Sequence, residues 1–303
     1  MRQVLRTGCR RAVAAERPAV GPRAGARSRA AGAADPGGGA GRRCGRLAAM
    51  KNLLVIGIGA GDPDYLTLQA VKAIGRADAF FVLGKGEEKQ DLVRLRQAML
   101  ASHARPGHRV VEVADPDRDR TSAAYTEAVE DWRSRRADLY EHFLREDLGE
   151  DETGAILAWG DPSLYDSTLA IVEEVRERGR VRFEYAVVPG ISSVSALAAK
   201  HRTGLNRVGE PVRITTGRRL AGTLPELPDD VAVMLDARTA FAGVPDEEDV
   251  LIYWGAYVGT PDEILVSGLL REVAPRILEL RAEARERKGW IMDTYLLRRV
   301  RTS

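Results

Sequence analysis

The stretch Leu-Leu-Val-Ile-Gly-Ile-Gly at 53–59 constrains this chain more than any other. A strand that is apolar at every position must be covered on both faces, which is the situation of a central parallel strand between helical layers. Its closing glycines let the backbone turn sharply and approach a ligand closely. Helical spacing follows from Leu66 to Ile74, and the alternation then repeats. ADAFFVLG (77–84), RVVEVA (109–114), GAILAWG (154–160) and RFEYAVVPG (182–190) read as further strands. Helical patterns at 87–100, 121–147, 168–178 and 191–201 separate or follow them. Such alternation predicts an α/β fold with a parallel sheet flanked by helices.

The polar stretch RTGLNRVGEP (202–211) reads as a link to a second unit. Beyond it, VRITTG (212–217), VAVMLD (231–236) and VLIYWGAYV (250–258) are expected strands. A helical pattern through 263–287 and a short tail, GWIMDTYLLRR (289–299), close the chain. The expected organisation is two α/β domains, 50–205 and 206–303.

Charge divides the chain at residue 49. The first 49 residues carry 11 Arg and only two acids, Glu16 and Asp35, whereas residues 50–303 carry 35 basic and 42 acidic side chains. The formal charge of +2 therefore hides a body of net charge −7, and a net-acidic body argues against nucleic acid as a partner. The Arg/Ala/Gly-rich leader has no hydrophobic periodicity and is expected to be disordered. It has the look of an organellar transit peptide, but Met50 directly precedes the first strand, so an upstream start codon is the preferred reading. Both cysteines, Cys9 and Cys44, lie in the leader, which leaves no thiol for disulfides, covalent catalysis or zinc in residues 50–303. The His residues show no HxxxH or HExxH spacing, so no metal is expected. No segment approaches the roughly 20 apolar residues of a membrane span, so a cytoplasmic protein without a membrane partner is expected.

Three loops carry the chemistry-bearing residues. GIGAGDPDYLT (57–67) ends the first strand. Its spacing is GxGxG; a dinucleotide fingerprint would need its third glycine where Asp62 stands, and a P-loop would need a closing GK[ST]. WGDPSLYDST (159–168) ends the fourth expected strand, and VVPGISSVSALAAK (187–200) leads from the fifth into a helix. Each loop alone is equally well a tight turn with a helix cap: Asp62 at one helix entrance, Ser192 or Ser193 at another. No GxSxG elbow supports a serine nucleophile.

Together, GxGxGD-xxLT, GDPxxY and PGISS, in this order, resemble the tetrapyrrole (corrin/porphyrin) methylases. ITTG (214–217), AVMLD (to Asp236) and YWGAYVGTPDE (253–263) extend the resemblance through the second unit. Many family members have Pro where Ala60 stands. GIGAGDPDYLT, AFFVLGKGEEKQDLV and GWIMDTYLLRR are similar to the deacetylating subgroup, which methylates C-1 of a corrin precursor and releases acetate.

The resemblance implies two α/β domains with a cleft between them that binds S-adenosylmethionine as methyl donor, without a metal. It carries cofactor contacts over to Trp159, Gly160, Asp161 and Leu164, to Ser192 and Ser193, to Met234 and Leu235, and to Trp254, Gly255 and Ala256. Such a set offers apolar walls for adenine and methionine and backbone polar groups for the polar ends. Transfer from a sulfonium to an electron-rich ring carbon needs alignment and exclusion of water rather than a covalent residue. Asp161 is accordingly expected to position rather than catalyse, because a carboxylate at the sulfonium would favour the ground state. Asp62 is the candidate for acid/base or orienting work, with helix capping as its rival role, and Tyr165 could act similarly. The implied partner is a tetrapyrrole rich in carboxylates, for which Lys85, Arg213, Arg218 and Arg219 are candidate contacts. A homodimer is also implied. The competing readings are another precorrin methyltransferase, a nicotinamide-dependent oxidoreductase and a non-catalytic binding module.

Overall fold

The structure, a computed structural model, describes residues 50–84, 90–117, 125–222, 227–245 and 249–300. The expectations for the leader and for Lys85 fall outside these residues.

The first sheet is built by β1 (Lys51–Gly57), β2 (Ala79–Gly84), β3 (Arg109–Ala114), β4 (Thr153–Ala158) and β5 (Phe183–Val188), in the order β3-β2-β4-β1-β5. Every pairing is parallel, with Val55 opposite Ile156 on one side and Val187 on the other. Helices α1 (Leu68–Ile74), α2 (Gln90–His103), α3 (Tyr125–His142) and α4 (Thr168–Arg178) connect the strands. Leu54 and Ile56 of β1 pack with Ile74 of α1 and Met99 of α2 on one face. Leu53 and Val55 pack with Tyr140 of α3 and Val172 of α4 on the other. The unbroken apolar run of β1 is therefore explained by two cores, and each such buried side chain contributes about 1.5–3 kcal/mol.

Connections from β1 and β4, which are neighbours, run to opposite faces of this sheet. Between them lies the topological switch point, where an open parallel sheet presents a crevice at its carboxyl end. The loops carrying the first two motifs leave from these two strands.

The second sheet is mixed. It contains β6 (Arg213–Thr216), β7 (Asp230–Met234), β8 (Val250–Ala256), β9 (Ile264–Leu269) and β10 (Asp293–Arg299), in the order β6-β7-β10-β8-β9. Only the β6–β7 pairing is parallel. Helices α5 (Ser193–Lys200), α6 (Gly217–Ala221) and α7 (Leu270–Lys288) belong to this half.

Two sequence expectations are corrected here. The helical pattern expected from 263 begins instead with β9, in which Ile264 and Val266 are part-buried while Leu265 and Ser267 face out. That two-residue alternation suits a strand with one covered face, and β9 pairs antiparallel with β8, Val266 opposite Trp254. The expected tail is β10, which inserts between β7 and β8 with Tyr295 opposite both Val233 and Trp254.

The α7 face of this sheet encloses a polar network. Arg281 Nε and Trp254 Nε1 both donate to Asp293 Oδ2 at 3.0 Å. Asp236 accepts from the Tyr295 hydroxyl at 2.6 Å and from the Ala240 N–H at 2.7 Å. A Cβ at Gly217 would stand 2.2 Å from the Asp236 carboxyl carbon. The glycine of ITTG and the aspartate after AVML are thus a packing pair.

On the opposite face lies α5. It follows β5 of the first sheet but packs on the second, where Val194 and Leu197 meet Ala232 of β7 and Leu296 of β10. A Cβ at Gly255 would come within 2.7 Å of Leu197 Cδ1, so the absence of a side chain there lets α5 seat on β8. His201, at the end of α5, shares a hydrogen bond with the Trp254 carbonyl at 3.0 Å.

Candidate active site

The three motif loops are fastened to one another by a backbone bridge and by one aspartate. Gly59 and Gly160 exchange N–H···O bonds of 3.2 and 2.8 Å, an isolated antiparallel bridge across the switch point. Asp161 then reaches the third loop: its Oδ2 accepts the Gly190 N–H at 2.9 Å. Its Oδ1 accepts the Ser163 N–H at 2.8 Å and also bonds the Ser163 hydroxyl. Burial raises the Asp161 pKa, but the bonds from Ser163 and Gly190 outweigh it and hold the carboxyl below its ordinary range. The close approach requires glycine, since a Cβ on Gly190 would stand 2.1 Å from the Gly160 oxygen.

Caps complete the loops. Thr67, the last residue of the first motif, is the N-cap of α1 and accepts the Ala70 N–H at 3.0 Å. Asp62 caps the 3-10 turn Pro63–Tyr65 by accepting the Asp64 N–H at 2.9 Å. Ser192 is the N-cap of α5, and Ser193 is its first helical residue.

The second sheet closes over these loops. The Tyr165 hydroxyl donates to the Ile214 carbonyl of β6 at 3.0 Å. Gly61 of the first loop packs against Thr260, beyond β8; a Cβ at Gly61 would meet Thr260 Cγ2 at 2.6 Å. Lys200 of α5 pairs with Glu263 at 3.1 Å, and Glu263 accepts the Gly259 N–H at 2.8 Å. The Glu263 carboxylate holds Lys200 above the ordinary lysine range against the cost of burial, with Tyr65 and Asp62 adding to the effect. Lys288, at the end of α7, ties Asp91 of α2 at 2.6 Å and Asp262 at 2.5 Å.

The residues singled out from the sequence fall into three groups. Gly160, Asp161, Ser192 and Ser193 come together in the fastened loops, where nothing stands nearer the Gly160 Cβ direction than Ser192 Cα at 3.9 Å. Leu164 and Met234 join one apolar cluster with Ala60, Ile191 and Val258, formed from both sheets. Next to Met234, Leu235 has a φ of 53° and is 65% exposed. A left-handed backbone costs a residue like leucine about 1–2 kcal/mol, and such strain gathers at ligand sites.

The third group lies partly inside the protein and partly on its surface. Trp254 and Ala256 are fully buried in the second-sheet core. Gly255 is a packing glycine under α5. Trp159 turns its indole toward the first half, where a Cβ on Gly61 would be 3.4 Å from its ring and Arg96 lies over it at 5.8 Å. Arg213, Arg218 and Arg219 are exposed on β6 and α6. Sequence reasoning passed over Arg96 on α2 and Arg136 on α3, which line a cavity of about 80 Å³ at the carboxyl ends of β2 and β4. Both sit on highly charged helices, where spacing does not separate an inward arginine from a solvated one.

The order and fastening of these loops agree with what a comparison with known sequences finds. The family model described as Tetrapyrrole (Corrin/Porphyrin) Methylases matches residues 52–274. The chain belongs to the tetrapyrrole methylases. A relative from Sinorhizobium sp, named precorrin-6A synthase [deacetylating], is 51% identical over 253 residues, covering 83% of this chain and 97% of that protein. Among solved structures, a protein from Corynebacterium diphtheriae described as a putative cobalamin synthesis related protein (CobF) aligns with a TM-score of 0.73 and 40% identity. It covers 84% of this chain and 100% of its own. The cobalt precorrin-4 methyltransferase CbiF shares the methylase fold at a TM-score of 0.54 and 18% identity, over 82% of this chain and 94% of its own.

Proposed function

We propose that this methylase transfers a methyl group from S-adenosylmethionine to C-1 of precorrin-5 and releases acetate, giving precorrin-6A. The observation that carries the reading is the 51% identity to a precorrin-6A synthase [deacetylating] across nearly that protein's whole length. The fastened loops at the switch point supply a matching geometry.

Bound S-adenosylmethionine supplies a methyl carbon already polarised by its sulfonium. The chain's part is to hold and align. Leu164, Met234 and Leu235 offer apolar surface, and the loop backbone around Gly160 and Ser193 offers polar groups at the N-terminal end of α5. Asp161 positions these loops through Ser163 and Gly190, which fits a positioning role better than a catalytic one. Asp62, with one oxygen on its own turn and Lys200 nearby, is assigned to orienting the substrate side. The carbon–sulfur bond breaks as the carbon–carbon bond at C-1 forms, the electron pair passing to sulfur. In the deacetylation, water adds to the acetyl carbonyl carbon, the bond from that carbon to the macrocycle breaks with its electron pair passing into the ring, and acetate leaves with a proton released to solvent.

The test is incubation of the full chain with precorrin-5 and methyl-labelled S-adenosylmethionine, followed by mass analysis of pigment and acetate. One label in the pigment and one acetate released are expected. Methylation without acetate would reject the deacetylating reaction in favour of another precorrin methyltransferase. Calorimetry gives a second arm: binding of NADPH but not S-adenosylhomocysteine would replace the methylase reading with an oxidoreductase.

A further inference from the structure

The cavity at the carboxyl ends of β2 and β4 has a volume of about 80 Å³, more than twice the roughly 30 Å³ that one water occupies in the liquid. It lies beside the switch point, on the β4 side, and its walls come from both faces of the first sheet. Val82, Leu83 and Ile156 make the apolar part.

Its polar groups are unequal. Arg136 is committed: Nε donates to Asp115 Oδ1 at 2.7 Å, a second nitrogen bonds the other oxygen, and the guanidinium stacks on Trp132 at 3.9 Å. Arg96, half-buried in the same cavity, makes no hydrogen bond or ion pair among the described residues. Burial lowers its basicity, while the Asp166 carboxylate and Tyr140 phenol act the other way. Asp166 Oδ1 accepts the Thr168 N–H at 2.6 Å at the start of α4, and its carboxylate also lines the cavity as a counter-charge to Arg96. Tyr140 stays a neutral phenol, its pKa pushed up to about 12 mainly by burial.

Trp159 forms one side of the cavity. Its Nε1–H is buried with no acceptor among the described residues. Natural proteins rarely leave a buried donor unmatched, and each exception calls for a partner. Arg96 and Trp159 are neighbours, 5.8 Å from guanidinium carbon to ring centroid. A planar guanidinium over an indole ring, with an apolar wall behind, suits a carboxylate, which offers two oxygens in one plane and only accepts.

We propose that this cavity is a carboxylate pocket, with the Arg96 guanidinium, held over the Trp159 ring, as its recognising donor. The proposal rests on the function above, in which carboxylates occur both on the macrocycle rim and as the released acetate. Trp159 links the pocket to the reaction, because its indole also packs beside Gly61 of the first loop.

The experiment compares the wild-type chain with Arg96→Met and Arg96→Lys. It measures precorrin-5 kinetics, inhibition by sodium acetate, direct acetate binding by calorimetry, and S-adenosylhomocysteine affinity as a check on folding. A rim carboxylate in the pocket raises KM about 10- to 100-fold in Arg96→Met with kcat little changed, Arg96→Lys recovering part of the loss. Acetate in the pocket leaves KM alone, and the wild type shows acetate binding and inhibition that Arg96→Met lacks. Unchanged KM and unchanged acetate response in an Arg96→Met protein that still binds S-adenosylhomocysteine overturns the proposal. A wild type that does not turn over precorrin-5 sinks the functional reading by itself. In that case Arg96-dependent acetate binding sustains the pocket, and its absence overturns the pocket too.

Discussion

Gly190 donates its N–H to Asp161 Oδ2 at 2.9 Å, and this bond joins the loop after β4 to the loop after β5. Because Oδ1 is engaged by Ser163, the carboxylate is used on both sides and acts as a splice between two motifs.

Asp161→Asn places either a donor against the Gly190 N–H or a donor against Ser163. The expected result is about tenfold weaker S-adenosylhomocysteine binding, from the loss of a hydrogen bond to a charged group, measured by calorimetry. The pH dependence has a definite sign. The folded pKa of Asp161 lies below its unfolded value of about 3.9, so its stabilisation is present above that value and fades as pH falls through the folded pKa. Urea melts should show a gap between wild type and variant that is constant from about pH 5 to 8 and narrows below about pH 4. A gap that widened on acidification would contradict the assignment.

Gly190→Ala should be among the most damaging single-methyl changes in the chain. Its Cβ would stand 2.1 Å from the Gly160 oxygen and 2.8 Å from the Gly57 carbonyl carbon, both backbone atoms that cannot step aside. A loss of about 3 kcal/mol or more is expected. Gly222→Ala serves as its counterpart, since φ there is −80° and the nearest atom is 3.6 Å away. It should be neutral or stabilising by up to about 1 kcal/mol. Thermal melts of the two variants side by side decide the point.

Tyr165→Phe removes the hydroxyl that reaches Ile214 across the two sheets. Tyr165 is 46% exposed, so the lost bond should cost no more than about 1 kcal/mol in stability. The loop it holds carries Asp161 and Leu164, so S-adenosylhomocysteine affinity should fall several-fold. Amide exchange should accelerate at 163–166 and 214–216. Unchanged exchange in both segments would show that the bond does not restrain the loop.

Glu152 offers a test away from the site. Its hydrogen bonds from Arg109, at 2.6 and 2.9 Å, and from the Gly149 N–H lower its pKa to about 2. Carboxyl carbon shifts followed by NMR should place its midpoint near that value. Arg109→Ala should return it only part of the way to about 4.3, because the Gly149 bond remains. The associated stabilisation is present above the unfolded pKa and disappears as pH falls toward the folded one. A full return would mean that the backbone bond contributes nothing.

How much was legible in the chain differs between its halves. β1 reads clearly because a strand apolar at every position can lie only where both faces are covered. The motif loops read clearly because Gly, Pro, Asp and Ser have narrow local uses; Ser192 does cap the helix it precedes, whereas Asp62 caps a 3-10 turn and the helix after it is capped by Thr67. β9 and β10 were not legible as strands. Ile264–Leu269 runs into a long charged helix, so its two-residue alternation merges with a helical one, and Asp293–Arg299 looks like a tail until β7 and β8 pair on either side of it.

The sequence by itself determined the alternation of strands and helices in the first half, the order of the three loops and the family resemblance. Those are local properties: periodicity, turn chemistry and spacing along one strand of chain. Only the tertiary structure decided which motif residues are exposed and which are buried. Trp254 and Leu235 are equally prominent in their motifs, yet one is buried in the core and holds Asp293 while the other is 65% exposed at a strained φ. It also decided that Arg96 enters a cavity while Arg136, on the next helix, is already paired with Asp115. Exposure and pairing depend on which distant segments come to lie beside a residue, and that depends on packing between elements rather than on any pattern within one.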